Sequence, residues 1–141
     1  MTHLINYFFE STRVFKRALP PKEWIKSCIN CEGKDLDCVN FIFCSDGYLQ
    51  KINKKHLNKS YLTDVITFDN KLSINDTGIT GDIFISADRV RENHHIYNTA
   101  FGDELARIMI HGTLHLIGYS DKSKSDKRVM TEKENFYLNL K

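Results

Sequence analysis

No apolar run in this chain approaches the roughly 20 residues that cross a bilayer, and no charged start followed by an apolar segment opens it. Both absences speak against a membrane protein and a secretory leader. Repeats and low-complexity tracts are missing as well, which excludes solenoids and long linkers. Proline is confined to Pro20 and Pro21, so it can interrupt regular structure at one place only. One-sided charge is lacking: 20 basic residues against 18 acidic ones leave a net charge of +2. A nucleic-acid partner therefore has to be argued from local patches. What remains is a chain of 141 residues, expected to fold as one domain over residues 1–141 and to bury a core without staples.

Cysteine is present but badly placed for a framework. Cys28 and Cys31 form a C-x-x-C, which with Cys38 and Cys44 raises a structural zinc site or a redox pair. Cys38 and Cys44, however, end the run CVNFIFC, too far apart for the paired knuckle of a zinc ribbon. Reduced thiols in a cytoplasmic protein, some of them core filling, are the expectation.

Hydrophobic periodicity then lays out the elements. Leu4 to Phe9 is a short apolar and aromatic run that suits a strand. After Pro20-Pro21, the recurrence of Trp24, Ile25, Cys28 and Ile29 predicts a helix ended by Gly33. Leu36 to Cys44 predicts a buried strand. Ser45 is the expected N-cap of a helix with Tyr48, Leu49, Ile52 and His56 on one face and Lys51, Lys54 and Lys55 on the other. Thr63 to Phe68 and Gly81 to Ser86 are two further strands, separated by a polar loop through Asn75 to Gly78. Ser86 caps a helix from Ala87 to about Tyr97. A helix from near Phe101, with Asp103 and Glu104 against its positive end, is apolar nearly all round and belongs in the middle. A last amphipathic helix, from about Ser125 to Leu140, places Met130, Tyr137 and Leu140 on one face, and Asp126 reads as its helix-start residue. The prediction is an α+β domain with a mixed sheet of about four strands and about five helices.

Chemistry concentrates in HGTLHLIGYSD at 111–121. His111 and His115, four apart, share one helix face and can reach one cation. Gly118 stands where a chain adopts positive φ and leaves the helix, and the turn it starts can return Asp121 to the histidine face. Two histidines alone are usually packing groups with a hydrogen bond. On a helix otherwise built from Ile, Met and Leu, their buried nitrogens need partners, and the glycine and carboxylate at these offsets supply a reason for them. Three protein ligands with the fourth position open for water is the pattern of a catalytic zinc site, the water held through His111, His115 and Asp121 being the reactive group. His94 and His95 are the competing ligands, but adjacent helix positions point about 100 degrees apart. In metalloproteases with H-E-x-x-H the glutamate is the general base; here that position is Gly112, which argues against a peptidase and leaves no general base identified. A carboxylate in place of a third imidazole also donates charge to the cation and makes it a milder Lewis acid.

HGTLHLIGYSD, together with LTDVITF at 62–68 and GDIFIS at 81–86, resembles the YbeY family of bacterial endoribonucleases, over most of the chain from about Cys38 to Leu138. The resemblance implies a small α+β fold with a zincin-like central metal-binding helix and one zinc ion per chain. It implies cleavage of single-stranded RNA, maturation of the 3′ end of the small-subunit ribosomal RNA, ribosome quality control, the small ribosomal subunit as a partner, and a cytoplasmic location. Two departures stand out. The family motif ends in Asp-His, where this chain has Ser120-Asp121, so Asp121 takes the place of the third histidine ligand; and the family's arginine in the helix before TDV, part of a Y-R pattern, is replaced by Leu57 of His56-Leu57. RNA contacts would then fall to Lys54, Lys55, Lys59, Lys122 or Lys124, the last two in a basic cluster with Lys127 and Arg128. Other readings are a ribosome-assembly factor that binds RNA around a structural zinc without cutting it, discriminated by a closed fourth coordination position, and, more remotely, a metallopeptidase.

Overall fold

The structure, a computed structural model, describes residues 4–57, 63–73 and 78–141. Most of the polar loop expected before Gly78 lies outside them. Four strands, β1 (Leu4–Glu10), β2 (Asp35–Cys44), β3 (Val65–Asp69) and β4 (Gly78–Ser86), form one sheet in the order β1-β2-β4-β3. β1, β2 and β4 run parallel, and β3 pairs antiparallel with β4 at the edge. Five helices accompany it: α1 (Lys22–Cys31), α2 (Asp46–Leu57), α3 (Ala87–Ile96), α4 (Phe101–Ile117) and α5 (Lys124–Leu138). The mixed α+β architecture expected from the sequence is the one observed, with a short 3-10 turn at Lys16–Ala18 that no periodicity announced.

Period-two alternation divides the sheet between two cores. Val39, Phe41, Phe43, Ile83 and Ile85 share the main core with Ile25 and Ile29 of α1 and with Leu105, Met109 and Leu114 of α4. The opposite parity, Ile66, Phe68 and Phe84, packs with Leu49, Tyr48 and Ile52 of α2. α4 is buried along most of its length, from Glu104 to Leu116, and touches β3, β4, α1, α3 and α5. Truncating one of its fully buried leucines would cost about 2–5 kcal/mol. Its surroundings explain Gly112. A Cβ there would lie 2.7 Å from Ile83 Cγ2 and 3.4 Å from Val65 Cγ2, so the helix rests directly on the sheet at this point.

The caps behave as their chemistry dictates. Ser45 Oγ accepts from Tyr48 N at 3.2 Å, Ser86 Oγ from Arg89 N at 3.2 Å, and Ser123 Oγ from Asp126 N at 3.0 Å. Two face assignments are corrected. On α2 Tyr48, Leu49 and Ile52 share the inward face as expected and Asn53 is buried with them, but His56 is exposed with its ring edge-on to Phe68. On α5 the buried face is Met130, Glu134 and Tyr137; Leu140 is exposed because the helix ends at Leu138. α5 is pinned to α1 by Trp24 Nε1, which donates to the Tyr137 carbonyl at 2.9 Å. All four cysteines are free thiols, Cys28 and Cys44 buried and Cys31 exposed. No helix is long and apolar enough to cross a membrane among the described residues.

Candidate metal centre

Gly118 closes α4 with φ +124°, and its N–H reaches the Leu114 and His115 carbonyls, each at 3.1 Å. Tyr119 N donates to Leu114 O at 3.0 Å, so the chain doubles back over the last turn, as a positive-φ exit requires. This return brings Asp121 to the histidines. Asp121 Oδ2 lies 3.3 Å from His111 Nε2 and 3.4 Å from His115 Nε2, and the two Nε2 atoms are 3.0 Å apart. Among the described residues these three side chains are the group that could hold a metal ion.

The other ring nitrogens fix what the Nε2 atoms carry. His111 Nδ1 is 2.7 Å from Glu134 Oε2, and His115 Nδ1 is 2.9 Å from the Tyr119 carbonyl oxygen. Both partners only accept, so both Nδ1 atoms donate their protons, and each ring in its neutral form presents an Nε2 lone pair. In that form two lone pairs and a carboxylate oxygen face one another across about 3 Å, an arrangement that repels unless a proton or a cation lies between them. A tetrahedral zinc with bonds of about 2.0–2.1 Å sets neighbouring ligand atoms about 3.3–3.4 Å apart. The observed triangle of 3.0, 3.3 and 3.4 Å fits that donor set.

The field points the same way. Burial alone would push the His111 imidazolium toward losing its proton, but Glu134, Asp64 and Asp121 outweigh it and leave the His111 pKa above its ordinary value. Burial and the neighbouring Asp121 hold the Asp64 carboxyl above its usual range against the pull of His111, and burial does the same to Glu104, which Asp64 and Glu134 reinforce. Carboxylates that act on one another and on His111 favour a cation placed among them. Glu134 is itself held, its Oε1 accepting from Arg107 at 2.9 Å, while the same guanidinium donates to Asn135 Oδ1 at 2.7 Å.

The triangle opens on a cavity of about 740 Å³ whose wall includes Asn53, Leu57, Asp64, Thr67, Asp69 and Lys122 beside the three ligand candidates. Of the lysines expected to meet RNA, Lys122 is in this wall. Lys54, Lys55 and Lys124 are exposed but not part of the wall, and Lys59 lies outside the described residues. Leu57, standing where the family arginine is implied, lines the cavity as an apolar residue. His94 and His95 do not join the site. Their rings also correct the expectation of divergence: side-chain rotation brings the centroids within 3.9 Å. Gly112 faces the sheet, so the missing glutamate reflects a position with no room for a side chain.

Sequence reasoning missed Asp64, which lines the cavity, and Glu134. The signal for Glu134 was present: a carboxylate between Met130 and Tyr137, on the spacing of a buried helix face.

With this geometry in hand, likeness to known proteins is informative. The family described as Endoribonuclease YbeY matches residues 11–140. A protein named Endoribonuclease YbeY from Flavobacterium psychrophilum is 49% identical over 137 residues, spanning 97% of this chain and 96% of its own. One of the same name from Karelsulcia muelleri is 45% identical over 135 residues, spanning 96% and 94%. The solution structure of TM1509 from Thermotoga maritima superposes with a TM-score of 0.64 at 25% identity, over 94% of this chain and 87% of that one.

Proposed function

The chain belongs to the YbeY endoribonuclease family, and on that footing we propose that it is a zinc-dependent endoribonuclease of single-stranded RNA whose one Zn²⁺ is held by His111, His115 and Asp121. Its substrate in this reading is ribosomal RNA, its task the maturation of the small-subunit 3′ end and ribosome quality control in the cytoplasm, with the small subunit as partner. The relatives' shared name supports RNA as the substrate class. The observation that carries the metal reading is the convergence of both Nε2 atoms and Asp121 Oδ2 within 3.4 Å of one another.

When bound, the cation supplies Lewis acidity toward a phosphoryl oxygen or the attacking hydroxyl. The chain's own residues do the rest. Glu134 and the Tyr119 carbonyl hold both imidazoles in the tautomer and orientation that ligation needs. Lys122 places a positive charge in the cavity wall, where it attracts the phosphate backbone. Asp64, in the same wall, is the carboxylate beyond Asp121 whose burial raises its affinity for a proton. This suits it to receive the proton that the attacking hydroxyl gives up, and a nearby cation moderates the shift.

A non-cutting assembly factor with a structural zinc would need a fourth protein ligand. Among the described residues the group has three, and they border an open cavity, which favours catalysis. The test is cleavage of a labelled single-stranded RNA by the protein as purified, after chelation, and after zinc is returned. Cleavage should vanish and come back. Full cleavage by metal-free protein contradicts the mechanism, and tight RNA binding without cutting by zinc-loaded protein favours the assembly factor.

A further inference from the structure

Glu32 follows the last residue of α1, far in sequence from the metal centre, yet its side chain is only 7% exposed. A buried carboxylate needs donors, and three converge on it. Tyr119 Oη donates to Oε1 at 2.5 Å, Lys133 Nζ donates to Oε2 at 3.1 Å, and Tyr137 Oη also donates to Oε2. Burial would push the Glu32 carboxyl up, and these donors outweigh it and hold it below its ordinary range.

Of the three donors, Tyr119 has a second role. It sits two residues before Asp121, its carbonyl takes the Nδ1 proton of His115 at 2.9 Å, and its N–H closes on Leu114 O at 3.0 Å. Lys133 Nζ also lies 5.7 Å from the centre of its ring. The residue that orients one ligand and leads to another is therefore anchored through its side chain to a carboxylate on a different helix.

We infer that Glu32 is a positioning residue of the metal centre: through Tyr119 it fixes the 118–121 turn, and with it the placement of Asp121 and the orientation of His115. This rests on the reading of His111, His115 and Asp121 as ligands. Partners that orient ligands typically govern metal affinity by about 10–100-fold, so the expected effect lies in binding the metal rather than in folding.

The network offers its own control, because Tyr137 hydrogen-bonds the same Glu32 carboxylate from α5 and is not a residue of the 118–121 turn. Tyr119→Phe removes the side-chain tie between Glu32 and the turn, and Tyr137→Phe removes one of the two ties between Glu32 and α5, leaving Lys133 in place. Cobalt(II) titration followed by the visible ligand-field spectrum, with zinc competition for affinity, reads both. Tyr119→Phe is expected to weaken cobalt and zinc binding by about 10–100-fold and to alter the spectrum, while Tyr137→Phe stays within about two-fold of the parent although it lowers Tm. Glu32→Gln, a second variant that leaves the tyrosines in place, is expected to weaken binding in the direction of Tyr119→Phe. Equal weakening by both tyrosine variants, or parental binding by Tyr119→Phe, overturns the inference and leaves the network a pin between helices. If the parent protein binds neither metal, the ligand reading itself fails, an outcome distinct from either of these.

Discussion

Two pairs of histidines sit near the C-terminal ends of consecutive helices. His94 and His95 on α3 bring their rings to 3.9 Å, closer than the 4.6 Å of His111 and His115 on α4. Ring proximity is thus not what makes a metal centre. His94 Nδ1 meets the Thr99 carbonyl at 3.1 Å, His95 is exposed, and no carboxylate completes a ligand group with them among the described residues. On α4 both Nδ1 atoms are committed to acceptors, both Nε2 lone pairs converge, and Asp121 closes the triangle. The difference lies in anchoring: a four-residue spacing puts two rings on one face, and outside partners decide which nitrogen each ring offers.

The largest expected effect comes from breaking that contrast outright. His115→Ala should abolish stoichiometric zinc in elemental analysis while the chain stays folded, and the double change His94→Ala with His95→Ala should leave zinc content unchanged. Next is the anchor alone: Glu134→Gln keeps the side-chain volume but loses the charge that accepts from His111, and zinc affinity measured by chelator competition should fall by about 10–100-fold. Smaller again is the support beneath the pair. Gly112→Ala forces a methyl against Ile83, and thermal unfolding should show a loss of about 1–3 kcal/mol with one zinc still bound.

The smallest effect concerns acid. Glu32 has a lowered folded pKa, so its contribution to stability is present above the ordinary glutamate value of 4.5 and is lost as pH falls through the lower folded value. Denaturant unfolding between neutral pH and about pH 3 should show a shallower acid loss in Glu32→Gln than in the parent.

Much of this was legible in the sequence because it is local. The caps at Ser45 and Ser86, the positive-φ exit at Gly118, and the i,i+4 histidines are decided within a turn or two of chain. Asp121 was readable from its offset after the glycine. What escaped depends on how distant elements pack. Glu134 meets His111 because α5 folds back over α4, across 23 residues of sequence, and Glu32 meets Tyr119 across 87; no periodicity states either contact. Gly112 lacks the protease base, as its residue type states, but that it also marks a close approach of α4 to the sheet is a matter of packing. The candidate RNA-contacting lysines rest on charge, and charge on a helix face does not say which cavity it borders; of those among the described residues, Lys122 reaches the wall of the site.

The most direct test of the ligand set is zinc K-edge X-ray absorption on the zinc-loaded protein. The expected first shell contains only nitrogen and oxygen at about 2.0–2.1 Å, with the multiple-scattering signature of two imidazoles, and no sulfur. A sulfur shell near 2.3 Å would place the metal on the cysteines and contradict the assignment to His111, His115 and Asp121.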